Sequence, residues 1–126
     1  DGIGVESWLD GSNYGGQYKF GRKHGLGSYK WNDGSTYSGE WNENKINGVG
    51  VYSWLDGRSY EGEWRENNME GLGIYTWSDG RFYKGQYIDD KKHGYGVSYP
   101  LLLLPLIFFQ LRVFLIFLTG VQLSKD

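Results

Sequence analysis

Gly-x-Gly pairs recur along the chain and are the first residues whose spacing could bind a phosphate group. A phosphate-binding loop needs a Lys followed by Ser or Thr after its last glycine, and a helix that opens there. No such residues follow these pairs, and the pairs themselves recur every 23 residues. We therefore interpret the glycines as backbone features of a repeat and expect no nucleotide or other cofactor.

Two histidines and a run of glutamates are the other side chains that could carry out chemistry. His24 and His93 occupy the same position in two distant units, so they cannot meet on one metal ion. The four Glu residues between 61 and 70 are predicted to lie on a solvated face, which does not suit paired catalytic carboxylates. The chain also contains no Cys. We expect no metal site, no catalytic residue and no enzyme activity.

Lys19, Arg22 and Lys23 form a small basic cluster and are candidate contacts for a phospholipid head group. Clusters that recognise such head groups usually contain about four to eight basic residues. Residues 1–99 carry 11 Lys and Arg against 14 Asp and Glu, a net charge of −3. This balance argues against nucleic-acid binding, which works by neutralising phosphates. It also weakens, without excluding, attraction to an anionic membrane.

Aromatic residues and glycines repeat in register and reveal the elements that hold these side chains. The chain contains 21 Gly, and aromatic residues make up 18% of it. Glycine loses much entropy on folding, so it is kept where backbones turn or approach closely. One column at 23-residue spacing consists of the predicted structural glycines Gly16, Gly39, Gly62 and Gly85.

Each unit predicts a β-hairpin, because residues 49–54 and 58–64 both alternate aromatic or Gly with polar or small residues. A two-residue turn would scatter the aromatic residues over both faces. A three-residue turn with Gly57 in a left-handed conformation puts them on one face and pairs Gly50 with Gly62. Opposed glycines leave room for neighbouring rings to lie over bare backbone. Residues 65–70 are predicted to be a polar connection to the next hairpin.

The predicted fold class is therefore all-β, an elongated, single-layer, twisted antiparallel sheet of stacked 23-residue hairpins. Such a sheet has no second layer to cover its aromatic face, so rings there are candidate partner-binding residues. Tyr18, Tyr29, Tyr52 and Tyr75 belong to the same ladder of rings. The candidates for partner binding are Tyr14, Tyr37, Trp41, Tyr60, Trp64, Tyr83, Tyr87, Trp31, Trp54 and Trp77.

These motifs resemble the MORN family, named for the membrane occupation and recognition nexus. The part that is similar to its signature is Tyr60-Glu61-Gly62-Glu63-Trp64, followed by Gly71-Leu72-Gly73-Ile74-Tyr75 and Trp77-Ser78-Asp79-Gly80. Lys23-His24-Gly25-Leu26-Gly27 and Lys92-His93-Gly94-Tyr95-Gly96 match a further region of the family in part. The resemblance covers residues 1–99, about four units. The repeats look most like those of MORN proteins from protists such as ciliates.

The resemblance implies a non-catalytic scaffold that mediates protein–protein interaction or self-association at a membrane-associated or cytoskeletal structure in the cytoplasm. A phospholipid-binding module is the alternative, since the repeats are similar to those in junctophilins and beside plant phosphatidylinositol-phosphate kinases. A further alternative is the regulatory MORN part of a larger enzyme, such as one of those kinases or a histone-lysine methyltransferase. No nucleic-acid partner is expected.

The repeat is predicted to stop at Pro100, which divides the chain into a repeat domain, 1–99, and an apolar tail, 100–126. The 18 residues from Leu101 to Leu118 approach the length of a membrane span. Pro105, Gln110 and Arg112 bring the free energy of insertion close to zero. The break falls inside a hairpin, which favours a splicing or frameshift artefact over a membrane anchor, and a packed helix is a third possibility. Because the chain begins with Asp1, we expect a fragment or a processed piece.

Overall fold

The computed structural model describes residues 1–99 and 122–125. These residues form one antiparallel sheet of ten strands, in which every strand pairs with the next along the chain. The predicted all-β fold, a single open sheet of successive hairpins, is confirmed. The strands are β1 Gly2–Ser7, β2 Asn13–Lys19, β3 Arg22–Lys30, β4 Thr36–Asn42, β5 Lys45–Ser53, β6 Ser59–Arg65, β7 Asn68–Thr76, β8 Phe82–Ile88, β9 Lys91–Tyr99 and β10 Gln122–Lys125.

The turn from β5 to β6 is the three-residue turn that the sequence predicts. The Trp54 N–H donates to the carbonyl oxygen of Arg58 at 2.9 Å, and the Gly57 N–H donates to the carbonyl of Trp54 at 3.1 Å. Gly57 has a φ of 99°, a conformation that favours glycine. Gly50 pairs with Gly62, so the predicted register is confirmed. Equivalent turns form one edge of the sheet, which we call the Asp-Gly edge.

The opposite edge corrects the prediction of a polar connection at residues 65–70. Glu66 and Asn67 form a two-residue turn with positive φ angles of 45° and 71°, as in a type I′ hairpin. Strand β7 begins directly after this turn, at Asn68, and its Met69 side chain is only 9% exposed. The start of this strand reads as a polar segment in the sequence, because only every second side chain of a strand faces the core.

Each of these two-residue turns is hydrogen-bonded to the strand that follows the preceding turn at the same edge. The Asn67 N–H donates to the carbonyl of Ile46 at 2.9 Å, and its side-chain oxygen accepts from the Ile46 N–H at 2.9 Å. The same pair of bonds joins two further pairs of residues, Asn44 with Lys23 and Asp90 with Met69. These bonds, which we call turn clamps, tie each unit to the next.

The core lies on one face of the sheet and consists mainly of rings. The Tyr60 ring is fully buried and lies over the glycine pair of its own unit. A β carbon added to Gly62 would lie 2.5 Å from the Cα of Gly73 and 2.5 Å from the carbonyl oxygen of Leu72. Opposed glycines therefore let the two backbones and a ring approach each other in a way that any side chain would prevent.

Most of the predicted tail, residues 100–121 and 126, lies outside the described residues, so the anchor, artefact and helix predictions all fall there. Strand β10 pairs with β9 and extends the sheet beyond the predicted boundary at residue 99. Among the described residues, no helix is long and apolar enough to cross a membrane.

Candidate functional site

The rings on the core face form two rows that differ in burial. The inner row is 0 to 7% exposed and consists of Tyr14, Tyr37, Tyr60, Tyr83, Trp41, Trp64 and Tyr87. The outer row is partly accessible and consists of Trp8, Tyr29, Trp31, Tyr52, Trp54, Tyr75 and Trp77. Seven of the ten predicted partner-binding residues therefore lie in the core, and only Trp31, Trp54 and Trp77 lie in the outer row.

The inner row is closely packed, because Tyr14, Tyr37 and Tyr60 each stand edge-on between two neighbouring rings. The Tyr37 ring lies 5.3 Å from Trp41 at an angle of 89° and 5.7 Å from Trp64 at 86°. The two indole N–H groups donate to the carbonyls of Gly27 and Gly50 at 3.0 and 3.1 Å. Burial raises the pKa of the Tyr37 phenol. Because its rings are 0 to 7% exposed, this row offers a partner almost no surface.

The outer row is a continuous ladder along the Asp-Gly edge. Neighbouring ring centroids are 4.5 to 5.6 Å apart from Trp8 to Trp77. Within the described part of the chain, the indole N–H groups of Trp31, Trp54 and Trp77 donate to no protein acceptor, unlike those of the inner row. Trp8 was missed by the sequence prediction, although its spacing from Trp31 is the same 23 residues.

Polar contacts along the Asp-Gly edge hold the outer tyrosines in place. The Tyr52 hydroxyl shares a hydrogen bond of 3.3 Å with the Ser35 hydroxyl. In the next unit, Arg58 donates to the Tyr75 hydroxyl at 3.1 Å and lies 5.0 Å from the Trp54 ring centroid. The residue that follows each Asp-Gly pair is thus Ser in the first two units and Arg in the next two, while the rings keep the same positions.

The Asp side chains of this edge consequently differ in charge balance. Asp56 forms an ion pair of 2.8 Å with Arg58, and Asp79 forms the same pair with Arg81. Asp10 and Asp33 instead accept hydrogen bonds from Ser12 and Ser35, which lower the pKa of both carboxyls. In the described residues, no cation is paired with Asp10 or Asp33, so the first half of the edge is the more acidic.

The predicted basic cluster is divided between environments. The Lys23 ammonium lies 5.4 to 5.7 Å from four ring centroids, and its burial lowers its pKa. Lys19 and Arg22 are exposed beside the turn at Phe20, and Arg22 forms an ion pair of 3.5 Å with Glu43. Of the three candidate head-group contacts, Lys23 is therefore packed among rings of the core face, and only the other two are exposed.

A polar column on the opposite face has a structural role that the sequence prediction missed. The Glu63 carboxylate was expected to be merely solvated, but it accepts the Leu72 N–H at 2.7 Å beside Gly71, whose φ is 80°. Gln17 accepts the Leu26 N–H in the same way. The column, Gln17, Glu40, Glu63 and Gln86, keeps the 23-residue spacing of the glycines, a signal that could have found it.

An open sheet of stacked hairpins with rings along one face defines a β-hairpin repeat protein. The model of the MORN repeat family matches four consecutive segments, residues 14–36, 37–57, 60–80 and 83–99. The chain belongs to the MORN repeat family, as the sequence motifs predict. No curated protein matches the chain.

Proposed function

We propose that the chain is a non-catalytic scaffold that binds a protein partner through the outer row. The observation that carries this proposal is the ladder of partly exposed Trp and Tyr rings. Such rings contribute large contact areas at protein interfaces, and an indole N–H adds a directional hydrogen bond. Membership of the MORN family supports an interaction module, and assembly at a membrane-associated or cytoskeletal structure in the cytoplasm, with or without self-association, forms part of the proposal.

The proposal is tested by partner capture with the full chain and with Trp31→Ala and Val49→Ala variants. Val49 is the matched control, because it is 56% exposed on the opposite face of the sheet. We expect partners to be lost from Trp31→Ala and kept by Val49→Ala, while both variants retain the β-sheet circular dichroism spectrum. Equal capture by the two variants would contradict a role for the outer row.

A phospholipid membrane is a second candidate partner because of the exposed turn at Phe20. This side chain is 81% exposed, and Lys19 and Arg22 flank the turn. An apolar tip with adjacent cations suits the boundary between head groups and acyl chains. We expect co-sedimentation with anionic but not neutral liposomes, reduced by Phe20→Ser. The control is Leu9→Ser, since Leu9 is fully exposed at the opposite edge. An unchanged pellet for Phe20→Ser would reject this candidate.

A further inference from the structure

We propose that the outer row binds a proline-rich segment in the polyproline II conformation. The segment would run across the strands, with one proline per unit and a basic residue beside the first two units. This inference rests on the proposed function, because it names the chemistry of the partner that the outer row receives. It depends on three properties of the row: its period, its free hydrogen-bond donors and the uneven charge of its edge.

The period of the outer row matches that of polyproline II. Each unit adds two strands, and strands lie about 4.8 Å apart, so equivalent rings such as Trp31 and Trp54 advance by about 9.6 Å. Three residues of polyproline II advance by about 9.3 Å and bring the same side of the helix back to the surface. Over the three steps from Trp8 to Trp77 the mismatch grows to only about 1 Å. Every third residue of such a segment can therefore meet an equivalent ring pair.

Other regular conformations fit this period less well. Seven residues of an α-helix advance by about 10.5 Å, so the mismatch reaches about 3 Å over three units. A β-strand repeats its side-chain direction every two residues, or about 6.6 Å, and falls out of step within one unit. Polyproline II is thus the regular conformation that stays in register along the whole outer row.

The hydrogen-bonding groups of the row complement those of polyproline II. That conformation has no internal hydrogen bonds, so its carbonyl groups remain available as acceptors. In the described residues, the indole N–H groups of Trp31, Trp54 and Trp77 have no protein acceptor and recur once per unit. Aromatic rings packed side by side form the grooves in which proline-rich segments dock. The outer row supplies such rings, with centroids 4.5 to 5.6 Å apart.

Charge complementarity decides where along the row a basic residue of the segment would lie. Asp10 and Asp33 lie in turns that begin at Trp8 and Trp31, and no described cation is paired with either carboxylate. The Arg58 guanidinium covers part of Trp54 and neutralises Asp56 farther along the edge. A Lys or Arg of the segment is therefore favoured over the first half of the row and disfavoured over the second.

The test is a titration of the full chain with three synthetic peptides, followed by tryptophan fluorescence and calorimetry. The first peptide has about twelve residues, long enough to span the row at about 3.1 Å per residue, with proline at every third position and one terminal Lys. The second has the same composition with the prolines rearranged. The third is an α-helix with leucines at heptad spacing. We expect the first peptide to bind at least tenfold more tightly than the second and more tightly than the third.

Variants connect this binding to the outer row. Trp54→Ala should weaken the first peptide at least tenfold. Trp54→Phe should weaken it less, because it keeps an aromatic ring while it loses the N–H donor and part of the indole surface. Val49→Ala on the opposite face should have no effect. Asp33→Asn should weaken binding of the first peptide several-fold. It should leave unchanged the affinity for a fourth peptide that is the first peptide without its terminal Lys.

Equal affinities for the first and second peptides would overturn the inference. Tighter, Trp54-dependent binding of the helical peptide would also overturn it, but would leave the proposed function intact. Binding of no peptide would reject a proline-rich partner, and loss of captured partners from Trp31→Ala would then still support the outer row as a protein-binding surface. Failure of both experiments would reject the proposed function as well.

Discussion

The inner and outer rows are built from the same two residue types, yet one forms the core and the other faces solvent. Tyr60 and Tyr75 pair directly across β6 and β7, but only Tyr60 is fully buried. Its ring lies over Gly62 and Gly73, whereas the Tyr75 ring lies closer to the Asp-Gly edge, against Trp54 and Trp77. Burial in this single-layer sheet is therefore decided by the position of a ring relative to the glycine pair.

Removing a ring from each row should give the largest contrast in stability. Tyr60→Ala deletes a fully buried ring and should lower the free energy of unfolding by about 4 kcal/mol. Tyr75→Ala should lower it by about 1 kcal/mol, because that ring is already partly hydrated. Urea unfolding followed by circular dichroism measures both values. Equal losses would show that the two rows do not differ in their contribution to the core.

Filling the space between the glycines should produce the next largest effect. Gly62→Val would put a side chain into the backbone of β7 and against the Tyr60 hydroxyl, and should cost about 3 kcal/mol or more. Gly15→Val is the matched control, since a β carbon there meets only the Val5 side chain, at 3.8 Å. Thermal unfolding compares the two. A melting temperature of Gly62→Val equal to that of the control would refute the close approach of the strands.

Alkaline pH should destabilise the sheet through the buried tyrosines of the inner row. Burial raises the pKa of the Tyr37 and Tyr60 phenols above the ordinary value of about 10. Because the unfolded state loses these protons first, stability is complete below pH 10 and falls as pH rises beyond it. The loss should be about 1.4 kcal/mol per tyrosine per pH unit. Tyrosinate absorbance that rises together with unfolding would agree with this, and full ionisation of the native protein at pH 10.5 would not.

The Arg58 contact should have the smallest effect on stability. Its ion pair with Asp56 and its contact with Trp54 lie at the solvent-exposed edge. Arg58→Ser, which copies Ser35 of the preceding unit, should leave the free energy of unfolding almost unchanged, because solvent screens an exposed ion pair. It should nevertheless alter the fluorescence of Trp54. A loss as large as that of Tyr60→Ala would mean that the outer row depends on this edge for its order.

Regular features of the fold were predictable from the sequence because they depend on spacing and parity. The three-residue turn at Asp56 follows from the need to keep Trp54 and Tyr52 on one face. The division into two rows was not predictable, because both rows share the same spacing. It depends on which rings cover glycine backbone in three dimensions.

Two local features were also hidden from the sequence prediction. Asn67 and Asn68 look like one polar stretch, but a turn ends and a strand begins between them. In the last unit, Ser98 occupies the position that Tyr75 has in the preceding unit. The next residue, Tyr99, pairs with Phe82, and their rings stack with centroids 4.3 Å apart on the face opposite the inner row.

The turn clamps have a consequence for how the length of such a chain can change. Each turn clamp joins residues that are 21 positions apart, as in Asn67 with Ile46. One unit supplies the turn residue and the preceding unit supplies the strand residue. Duplicating or deleting a whole unit therefore leaves every turn clamp complete. Each added or lost unit changes the length of the sheet by about 9.6 Å, and duplication of one unit in the gene would lengthen it without requiring a new kind of contact.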